Sequence, residues 1–343
     1  MHSSRLQEIT DDYSRLRIAL VGDFCLDRYM EIDPAKQETS IETGLPVHNV
    51  VNVRSQPGAA GTILNNLVAL GIGEVYPVGF CGEDGEGYEL QRALFAKPGV
   101  QAGHFLQTSQ RRTFTYCKPL VIDPGKPPVE LHRLDSKNWT PTPDSVQGQV
   151  IDSLRSLATT VDAIILMDQV DVPETGVVTT QLLHEIGRII KSRSELLVIA
   201  DSRRGLKGYP PVCFKMNSAE LRALTGADSE LPLNELKRTA SSLAQNHGRN
   251  VFVTLAELGI LGAAPGGEID YVPAFPVQSQ IDVVGAGDSV TANLTAALAA
   301  GATQQEAMEL AMAAASIVIH QLGTTGTASV RQIQALIRRG MSE

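Results

Sequence analysis

One heptad, Asp282-Val283-Val284-Gly285-Ala286-Gly287-Asp288, leads directly into a helix-forming run over residues 289–300. Its three small residues let the backbone turn tightly and approach a ligand closely. The helix after them directs unpaired N–H groups and the positive end of its dipole at the turn, which makes an anion site. Asp288 adds a carboxylate at the rim. Donors for a phosphoryl group beside an acceptor for a hydroxyl proton are what phosphoryl transfer to an alcohol requires.

Two other interpretations of the heptad have to be weighed. In isolation, Gly-Ala-Gly-Asp is most often a glycine-rich loop in which the Asp caps the following helix. The start Gly285-x-Gly287 also matches a dinucleotide-binding pattern, but that pattern requires Gly or Ala at position 290, which is Val here. Helices follow the heptad, rather than a βαβ unit with a ribose-binding acid, so a dehydrogenase is poorly supported.

The composition describes a globular, acidic protein. Of the 343 residues 43% are hydrophobic, enough for one large domain, and the net charge is −9. This charge argues against non-specific binding to nucleic acid and to anionic membranes. Four widely spaced cysteines without a Cys-x-x-Cys pair, together with a polar N-terminal stretch, predict a cytoplasmic protein with free thiols.

Strands and helices alternate along most of the chain, which predicts a mostly parallel sheet covered by helices on both faces. The predicted strands are 17–22, 75–80, 163–167, 196–200, 213–216, 251–255, 260–263 and 269–272. The predicted helices are 59–70, 84–96, 143–158, 174–191, 218–225, 233–247 and 289–300, with two more before the C-terminus. A β-rich pair at 112–119 and 129–135 interrupts the alternation as a hairpin. Ligands of such sheets bind beyond the carboxyl ends of the strands.

The heptad resembles the C-terminal signature Asp-Thr-x-Gly-Ala-Gly-Asp of the PfkB (ribokinase-like) carbohydrate kinases, with Val283 in place of Thr. The resemblance covers nearly the whole chain in the order of the family. It implies a single α/β domain over 1–343, a three-layer α/β/α sandwich with a mostly parallel sheet. It also implies a small β-lid near 31–53 and 111–135, and lids of this kind often pair across a homodimer.

The resemblance also assigns roles within the heptad. Asp288 would be the catalytic base, and the amides of Gly285, Ala286 and Gly287 would donate to the transferring phosphoryl group. Asp282 would help to order the turn, next to a monovalent cation site as in many relatives.

Two segments point to the acceptor sugar. The stretch 22–29 places Asp23 and Asp27 directly after the first strand, where they could bond sugar hydroxyls or simply be solvated. It resembles the Gly-Asp-x-x-Leu-Asp-Arg-Tyr start of the heptose-phosphate kinase branch, in which the second Asp binds the acceptor. Residues 57–66 read as a helix entry and resemble the signature Pro-Gly-Gly-Ala-Ala-Asn, which contacts the sugar. The corresponding positions are Gly58, Ala59 (Gly in the signature), Thr62 (Asn in the signature) and Asn66.

The predicted lid carries cations. Residues 131–135, Leu-His-Arg-Leu-Asp, resemble the Leu-Ile-Arg-Leu-Asp of heptose-phosphate kinases. Arg111, Arg112 and Arg133 could supply positive charge for a sugar phosphate, although a solvated hairpin would carry the same residues. Lids of this kind close over the acceptor and exclude water, which suppresses hydrolysis of ATP.

Shorter matches predict the nucleotide side. Asn217 and Glu220 have the spacing of a capping box and also that of the family's Asn-x-x-Glu, whose Glu organises Mg²⁺ through water. Both roles are compatible, and the other matches favour the second. Residues 253–259 resemble the turn Thr-x-Gly-x-x-Gly, 201–203 resemble Asp-Pro-Lys, and 311–315 resemble a helix beside the adenine. The positions implied in ATP binding are Asn217, Glu220, Arg203, Thr254, Ala256 (for Gly), Gly259 and Met312 (for Asn), the last of which could equally be a core residue.

These matches predict transfer of the ATP γ-phosphoryl group to a hydroxyl of a sugar or sugar phosphate, with a heptose 7-phosphate as the best match. ATP and Mg²⁺ are the expected cofactors, with K⁺ as a possible third. Ribose, fructose or a nucleoside is the alternative acceptor. A catalytically weak, sugar- or nucleotide-sensing protein is the other alternative, because four ligand-contacting positions depart from the family. These positions are Ala59, Thr62, Ala256 and Met312.

Overall fold

The computed structural model describes residues 2–227 and 231–340. Its strands are β1 (Arg17–Gly22), β2 (Phe24–Ile32), β3 (Glu38–Thr39), β4 (Pro46–Val47), β5 (Val50–Ala59), β6 (Glu74–Gly82), β7 (Phe105–Thr108), β8 (Thr115–Val121), β9 (Val129–Glu130), β10 (Leu134–Ser136), β11 (Ala163–Asp168), β12 (Leu197–Ser202), β13 (Cys213–Asn217), β14 (Val251–Thr254), β15 (Ile260–Ala263) and β16 (Ile269–Val272). Its α-helices are α1 (Ser3–Asp11), α2 (Ala60–Ala69), α3 (Gly85–Phe95), α4 (Asp144–Leu157), α5 (Thr180–Ser192), α6 (Ser218–Thr225), α7 (Leu233–His247), α8 (Ala286–Ala299), α9 (Gln304–Ile319) and α10 (Val330–Gly340).

A nine-stranded sheet forms the centre, in the order β16-β15-β14-β13-β12-β11-β1-β6-β7. The strands from β14 to β7 in this order are parallel, and β15 and β16 add an antiparallel hairpin at one edge. Side chains alternate between two cores: Ile18 and Leu20 of β1 pack with α1, α2, α3 and α8–α10, whereas Ala19 and Val21 pack with α4–α7. The predicted three-layer sandwich is therefore confirmed.

A second, smaller sheet begins directly after β1. It consists of β2, β5, β8, β9 and β10, with β2 antiparallel to β5 and parallel to β8. The hairpin predicted at 112–119 and 129–135 is part of it. Most of the segment 22–29, for which simple solvation was one alternative, belongs to β2, the strand at the centre of this second sheet, and its Phe24 and Leu26 are buried.

Most predicted elements lie within two residues of their predicted bounds, but α5 begins at Thr180 rather than at 174. Glu174 has φ +64°, which no α-helix accommodates, and its carboxylate accepts a hydrogen bond from the Thr180 amide at 3.0 Å. Thr179 is the N-cap residue. Both α1 and β7 escaped prediction. Throughout residues 2–227 and 231–340, the helices are too short or too polar to cross a bilayer.

Two alanines have a positive φ, and both stand where the family signatures have glycine. Ala59, the N-cap residue of α2, has φ +52°, and Ala256, in the turn after β14, has φ +49°. A side chain in this region costs about 1–3 kcal/mol, a strain that glycine avoids. The chain therefore carries backbone strain at both ends of its predicted ligand cleft.

We expect Ala256→Gly to raise the free energy of unfolding by about 1 kcal/mol, because relief of strain outweighs the added freedom of the unfolded chain. Urea denaturation followed by circular dichroism measures this. The control is Ala335→Gly, at an exposed position within α10, which should lower the same quantity by about 1 kcal/mol. An equal decrease in the free energy of unfolding in the two variants would show that the backbone at Ala256 is not strained.

Candidate active site

The turn at Gly285 is built as the heptad predicts. Gly285 is the N-cap residue of α8 with φ +84°, and its carbonyl oxygen accepts from the Ser289 amide at 2.9 Å. The Ala286 amide closes the turn by donating to the Val283 carbonyl oxygen at 3.2 Å. The next two amides, of Gly287 and Asp288, belong to the first turn of a helix and have no acceptor within it. Of the amides predicted to donate to a phosphoryl group, that of Ala286 is used within the turn, and that of Gly287 is not. An anion bound at this turn stays a prediction, for which the Gly287 and Asp288 amides are the candidate donors.

Asp282 orders the loop that leads into this turn. Its Oδ1 accepts from the Val284 amide at 3.0 Å, and its own amide donates to the Ile319 carbonyl oxygen at 2.8 Å. These bonds agree with the predicted role in loop order. A monovalent cation beside Asp282 stays a prediction.

Asp288 is a buried carboxylate whose pKa is raised to about 7. Burial is the main cause, because it disfavours the charged form. The positive charges of Arg203 and Lys215 oppose the shift, and the carboxylates of Asp201 and Asp27 add to it. Asp288 therefore titrates near neutral pH, where a general base works best.

An ion pair that the sequence analysis missed lies beside the turn. The Lys215 ammonium is 2.7 Å from Oδ2 of Asp201, and the Thr291 hydroxyl of α8 donates to the same oxygen at 2.9 Å. A Cβ placed on Gly287 would lie 3.0 Å from Lys215 Nζ, so the cation reaches the first turn of α8. The available signal was a lysine within the otherwise apolar strand β13, close before Asn217.

Asp27 and Gly58, both predicted to contact the acceptor, are brought together in the second sheet. A Cβ on Gly58 would lie 2.7 Å from Oδ2 of Asp27, so glycine is required for this approach. Burial raises the pKa of Asp27, while the charges of Lys118 and Arg133 lower it. Lys118 Nζ lies 3.6 Å from Oδ1 of Asp27.

Asp23 does not agree with its predicted role in sugar binding. Its side chain is fully buried, with Oδ2 accepting from the Gln169 amide at 2.8 Å and Oδ1 from the Val177 amide at 2.7 Å. A Cβ on Gly176 would lie 2.5 Å from Oδ1, so the loop closes tightly around the carboxylate. Asp23 fixes the segment after β11 and is not available to a sugar hydroxyl.

The start of α2 lies beside the turn at Gly285, but Asn66 of this helix has a structural role, like Asp23. A Cβ on Gly285 would lie 3.5 Å from the methyl group of buried Thr62, so Thr62 lies beside the turn. Asn66 is fully buried and donates to the Thr62 carbonyl oxygen at 3.0 Å and the Gly326 carbonyl oxygen at 3.5 Å. Asn66 thus joins α2 to the loop after α9, while its Oδ1 is buried without a hydrogen-bond partner among the described residues.

The predicted arginines lie on different sides of the second sheet or away from it. Arg133 stacks on Tyr116, with Cζ 5.0 Å from the ring centroid, and Tyr116 is the register partner of Asp27. Arg112 lies 3.9 Å from both Asp84 and Glu86 at the start of α3. The Asp27 face therefore carries Lys118, which was not foreseen, and Arg133, which is itself paired with Asp135, whereas Arg112 pairs with Asp84 and Glu86.

Buried Arg111 has a structural role. Its guanidinium donates to the Thr140 carbonyl oxygen at 2.7 Å and the Thr175 carbonyl oxygen at 2.9 Å. It therefore ties the segment before β8 to the core.

On the nucleotide side, both bonds of the capping box are formed. The Asn217 amide donates to Oε2 of Glu220 at 2.7 Å, and the Glu220 amide donates to Oδ1 of Asn217 at 2.9 Å. Thr254 is the register partner of Asn217 on the neighbouring strand. Arg203 follows β12 and lies close enough to Asp288 to lower its pKa. These residues all lie at the carboxyl ends of adjacent strands.

Two of the remaining positions predicted to bind ATP have structural roles, one in the backbone of a turn and one in the packing of the core. Gly259 has φ +109°, and a Cβ there would lie 2.1 Å from the Val272 carbonyl oxygen, so the turn after β14 requires glycine. Met312 is buried in the helical core, which is the alternative that the sequence left open.

Solved structures show what this architecture is similar to. The chain matches the ribokinase of Arabidopsis thaliana, solved with ribose and ATP, at 19% identity and a TM-score of 0.68 over 94% of this chain and 99% of that one. It matches phosphofructokinase-2 from Escherichia coli, solved with substrates and products, at 18% identity and a TM-score of 0.71 over the same shares. These two similarities show that the fold is ribokinase-like.

The family model described as pfkB family carbohydrate kinase matches residues 24–331, so the chain belongs to this family. Among curated proteins it is similar to the bifunctional protein HldE of Hyphomonas neptunium, with 28% identity over 342 residues, 98% of this chain and 66% of that protein. HldE of Rhodospirillum rubrum is 29% identical over 339 residues, 98% of this chain and 65% of that protein. The chain spans about two thirds of the length of these relatives.

If the predicted role of Asp288 as base is right, kcat/KM should fall about tenfold per pH unit below pH 7, because a carboxylate accepts a proton only when it is ionised and the pKa of Asp288 is about 7. A pH–rate profile of the wild-type protein measures this. A profile that stays flat down to pH 5 would contradict the role of Asp288 as base.

The stability of Asp288→Asn gives an independent check. Because the pKa of Asp288 is higher in the folded than in the unfolded protein, ionisation above pH 4 destabilises the wild type increasingly up to pH 7. Between pH 5 and pH 8 the wild type should therefore lose about 3 kcal/mol relative to Asp288→Asn. Parallel stability curves for the two proteins would mean that the carboxylate is not buried as described.

Proposed function

We propose that this sugar kinase transfers the γ-phosphoryl group of ATP to a hydroxyl of a phosphorylated sugar, with a heptose 7-phosphate as the first candidate. One observation carries the proposal: Lys118 and Arg133 lie on the same face of the second sheet as Asp27. A carboxylate for hydroxyls beside two cations for an anionic group suits an acceptor that carries both. The similarity to HldE proteins supports the same choice.

The residues divide the chemistry as follows. Asp27 orients the acceptor, and Asp288 removes the proton from its attacking hydroxyl. The amides of Gly287 and Asp288 donate to the oxygens of the transferring phosphoryl group, where a strong preorganised donor is worth about 3–4 kcal/mol. The second sheet acts as the predicted lid, and it excludes water so that ATP is not hydrolysed.

Mg²⁺ fits the residues on the nucleotide side. This ion keeps several waters and is bound mainly by substrate phosphates with one or two carboxylates. Glu220 uses Oε2 for the Asn217 amide, which leaves Oε1 for a Mg²⁺-bound water. Within the described part of the chain no group of three or more His, Cys, Asp or Glu side chains could hold a metal without such phosphates. When bound, the ion would neutralise phosphate charge.

Release of ADP across a panel of acceptors tests the function. The panel contains a heptose 7-phosphate, the unphosphorylated heptose, fructose 6-phosphate, fructose, ribose and nucleosides, each with Mg²⁺ and with or without K⁺. Asp288→Asn is the background control and should lose turnover by orders of magnitude. Turnover highest on the heptose 7-phosphate supports the proposal, and a preference for an unphosphorylated acceptor contradicts it. A flat panel with ATP still bound would favour the sensing alternative.

We expect Lys118→Met to raise KM for the sugar phosphate about 10- to 100-fold, because a hydrogen bond to a charged group is worth about 1.5–3 kcal/mol. The ratio of kcat/KM for phosphorylated and unphosphorylated heptose should fall by the same factor. Lys126→Met, which removes an exposed lysine paired with Asp123 at 2.7 Å, is the matched control and should change neither quantity. Equal losses on both sugars would mean that Lys118 only supports Asp27.

We further propose that the protein forms a homodimer through the outer face of the second sheet. Val53 is the register partner of Met30, and side chains at 27 and 30 lie on opposite faces of β2, so Val53 faces away from Asp27. Val51, Val53 and Val129 leave 48%, 44% and 59% of their surfaces exposed, an apolar patch that a second copy would cover.

Size-exclusion chromatography with light scattering measures the molar mass in solution and so tests the dimer. Val53→Glu should convert it to a monomer, because pairing would bury two carboxylates in an apolar interface. Ile269→Glu introduces the same charge at another exposed apolar position, on the edge strand β16, and should leave the mass unchanged. A wild-type mass of one chain would reject the dimer.

The predicted cytoplasmic location suits this function, because ATP and a reducing environment are both available there. Cys25, Cys81, Cys117 and Cys213 are free thiols.

A further inference from the structure

Lys215 is a buried cation in a strand that otherwise packs apolar side chains. It is 6% exposed, between Phe214 and Met216, which are both buried. Removing an ammonium group from water costs several kcal/mol unless close partners compensate it. Retention of a lysine here therefore needs an explanation that packing does not supply.

The position of the ammonium group points to the anion site. Nζ lies 3.0 Å from where a Cβ of Gly287 would be, and Gly287 is in the first turn of α8. Because Cα–Cβ bonds on a helix tilt towards its N-terminus, this direction is that of the free amides. Glycine at 287 leaves the space that the ammonium group occupies.

The neighbouring carboxylate fixes the cation without using all of its donors. An ammonium group has three N–H donors. In the part of the chain that the structure describes, Asp201 Oδ2 accepts one of them at 2.7 Å. The same oxygen accepts from Thr291 of α8, so Asp201 is itself tied to the helix that carries the anion site. The positive charge of Lys215 also lowers the pKa of Asp288, so the two side chains are close enough to interact.

We propose that Lys215 is a catalytic residue whose ammonium group donates to the equatorial oxygens of the transferring phosphoryl group, with Asp201 as its positioning residue. The acceptor oxygen forms a bond to Pγ while its proton passes to Asp288. The bond from Pγ to the bridging oxygen breaks, and its electron pair leaves with ADP. Lys215 keeps its protons throughout. This role rests on the proposed use of the turn at 285–288 as the phosphoryl site.

The competing explanation is that Lys215 and Asp201 form a purely structural ion pair. Two variants distinguish this explanation from the catalytic role. Lys215→Met alone leaves the Asp201 carboxylate buried without its cation, so it also lowers stability. The double variant Lys215→Met with Asp201→Asn removes both charges and should regain much of that stability. Lys207→Met, at an exposed position in the loop between β12 and β13, is the lysine control.

The measurement is kcat and the KM for ATP, on the acceptor with the highest turnover in the panel. We expect both Lys215 variants to lose kcat at least 100-fold, with the KM for ATP within a few fold, because the interaction forms fully only in the transition state. Their affinity for ADP with aluminium fluoride, a mimic of the transferring group, should fall by a similar factor while the affinity for ADP alone is kept.

Recovery of kcat in the double variant to within a few fold of wild type would overturn the proposal and leave a structural pair. An unchanged affinity for ADP with aluminium fluoride would overturn it too. A wild-type protein without turnover on any acceptor would reject the proposed function, and the role of Lys215 with it. If the wild type and the double variant are both active, the proposed catalytic role of Lys215 is rejected and the proposed function of the protein is kept.

Discussion

Burial of the Asp288 carboxylate at the start of α8 is the constraint on which the arrangement of the active site depends. The residues from Asp288 to Ala297 are all buried, so α8 is held between the sheet and its neighbouring helices and cannot shift towards water. A carboxylate in this place is hard to ionise, and its pKa of about 7 reflects that difficulty. Two cations from adjacent strand ends, Lys215 and Arg203, make the ionised form accessible at neutral pH.

The sequence predicted the anion site because the chemistry of that site is local. A glycine with a positive φ, a helix start and a carboxylate occur within seven residues, and the structure forms them from the same seven residues. Asp27 was also foreseen, but its partner Lys118 was not, because β8 brings that lysine from about 90 residues away. Contacts between distant strands depend on register, which one sequence does not display.

Asp23 and Asn66 show the opposite error. Both match family motifs, and both are fully buried, where Asp23 accepts from backbone amides and the Asn66 side-chain amide donates to backbone carbonyl oxygens. A carboxylate or an amide near a ligand can hold the loop that shapes the site instead of touching the ligand, and residue type alone does not separate these roles. Lys215 was missed for the converse reason, because a charged residue within a buried strand gives no motif and is recognised only through its burial and its distance from Gly287.

The strained alanines fit the same picture of a site shaped by its backbone. Ala59 lies at the junction of β5 and α2, and Ala256 lies in the turn after β14, so both segments bend sharply where the predicted sugar and nucleotide sides begin. The bends persist although the glycines that relax them are absent, which means that surrounding packing determines the backbone. Departures of this kind change stability more directly than chemistry. They are therefore weak support for a protein that has lost its reaction.

The charges around Asp288 explain why a buried lysine, Lys215, is favourable beside it. Asp27 and Asp201 already raise the pKa of Asp288, and the phosphates of ATP would raise it further once they arrive at the turn. A base protonated by the approach of its own substrate could not accept a hydroxyl proton. Positive charge fixed beside the turn opposes this effect before and during the reaction, and Lys215 provides it from a strand, where Asp201 holds it in place. The cation that stabilises the transferring group is then the same one that keeps the base ionised.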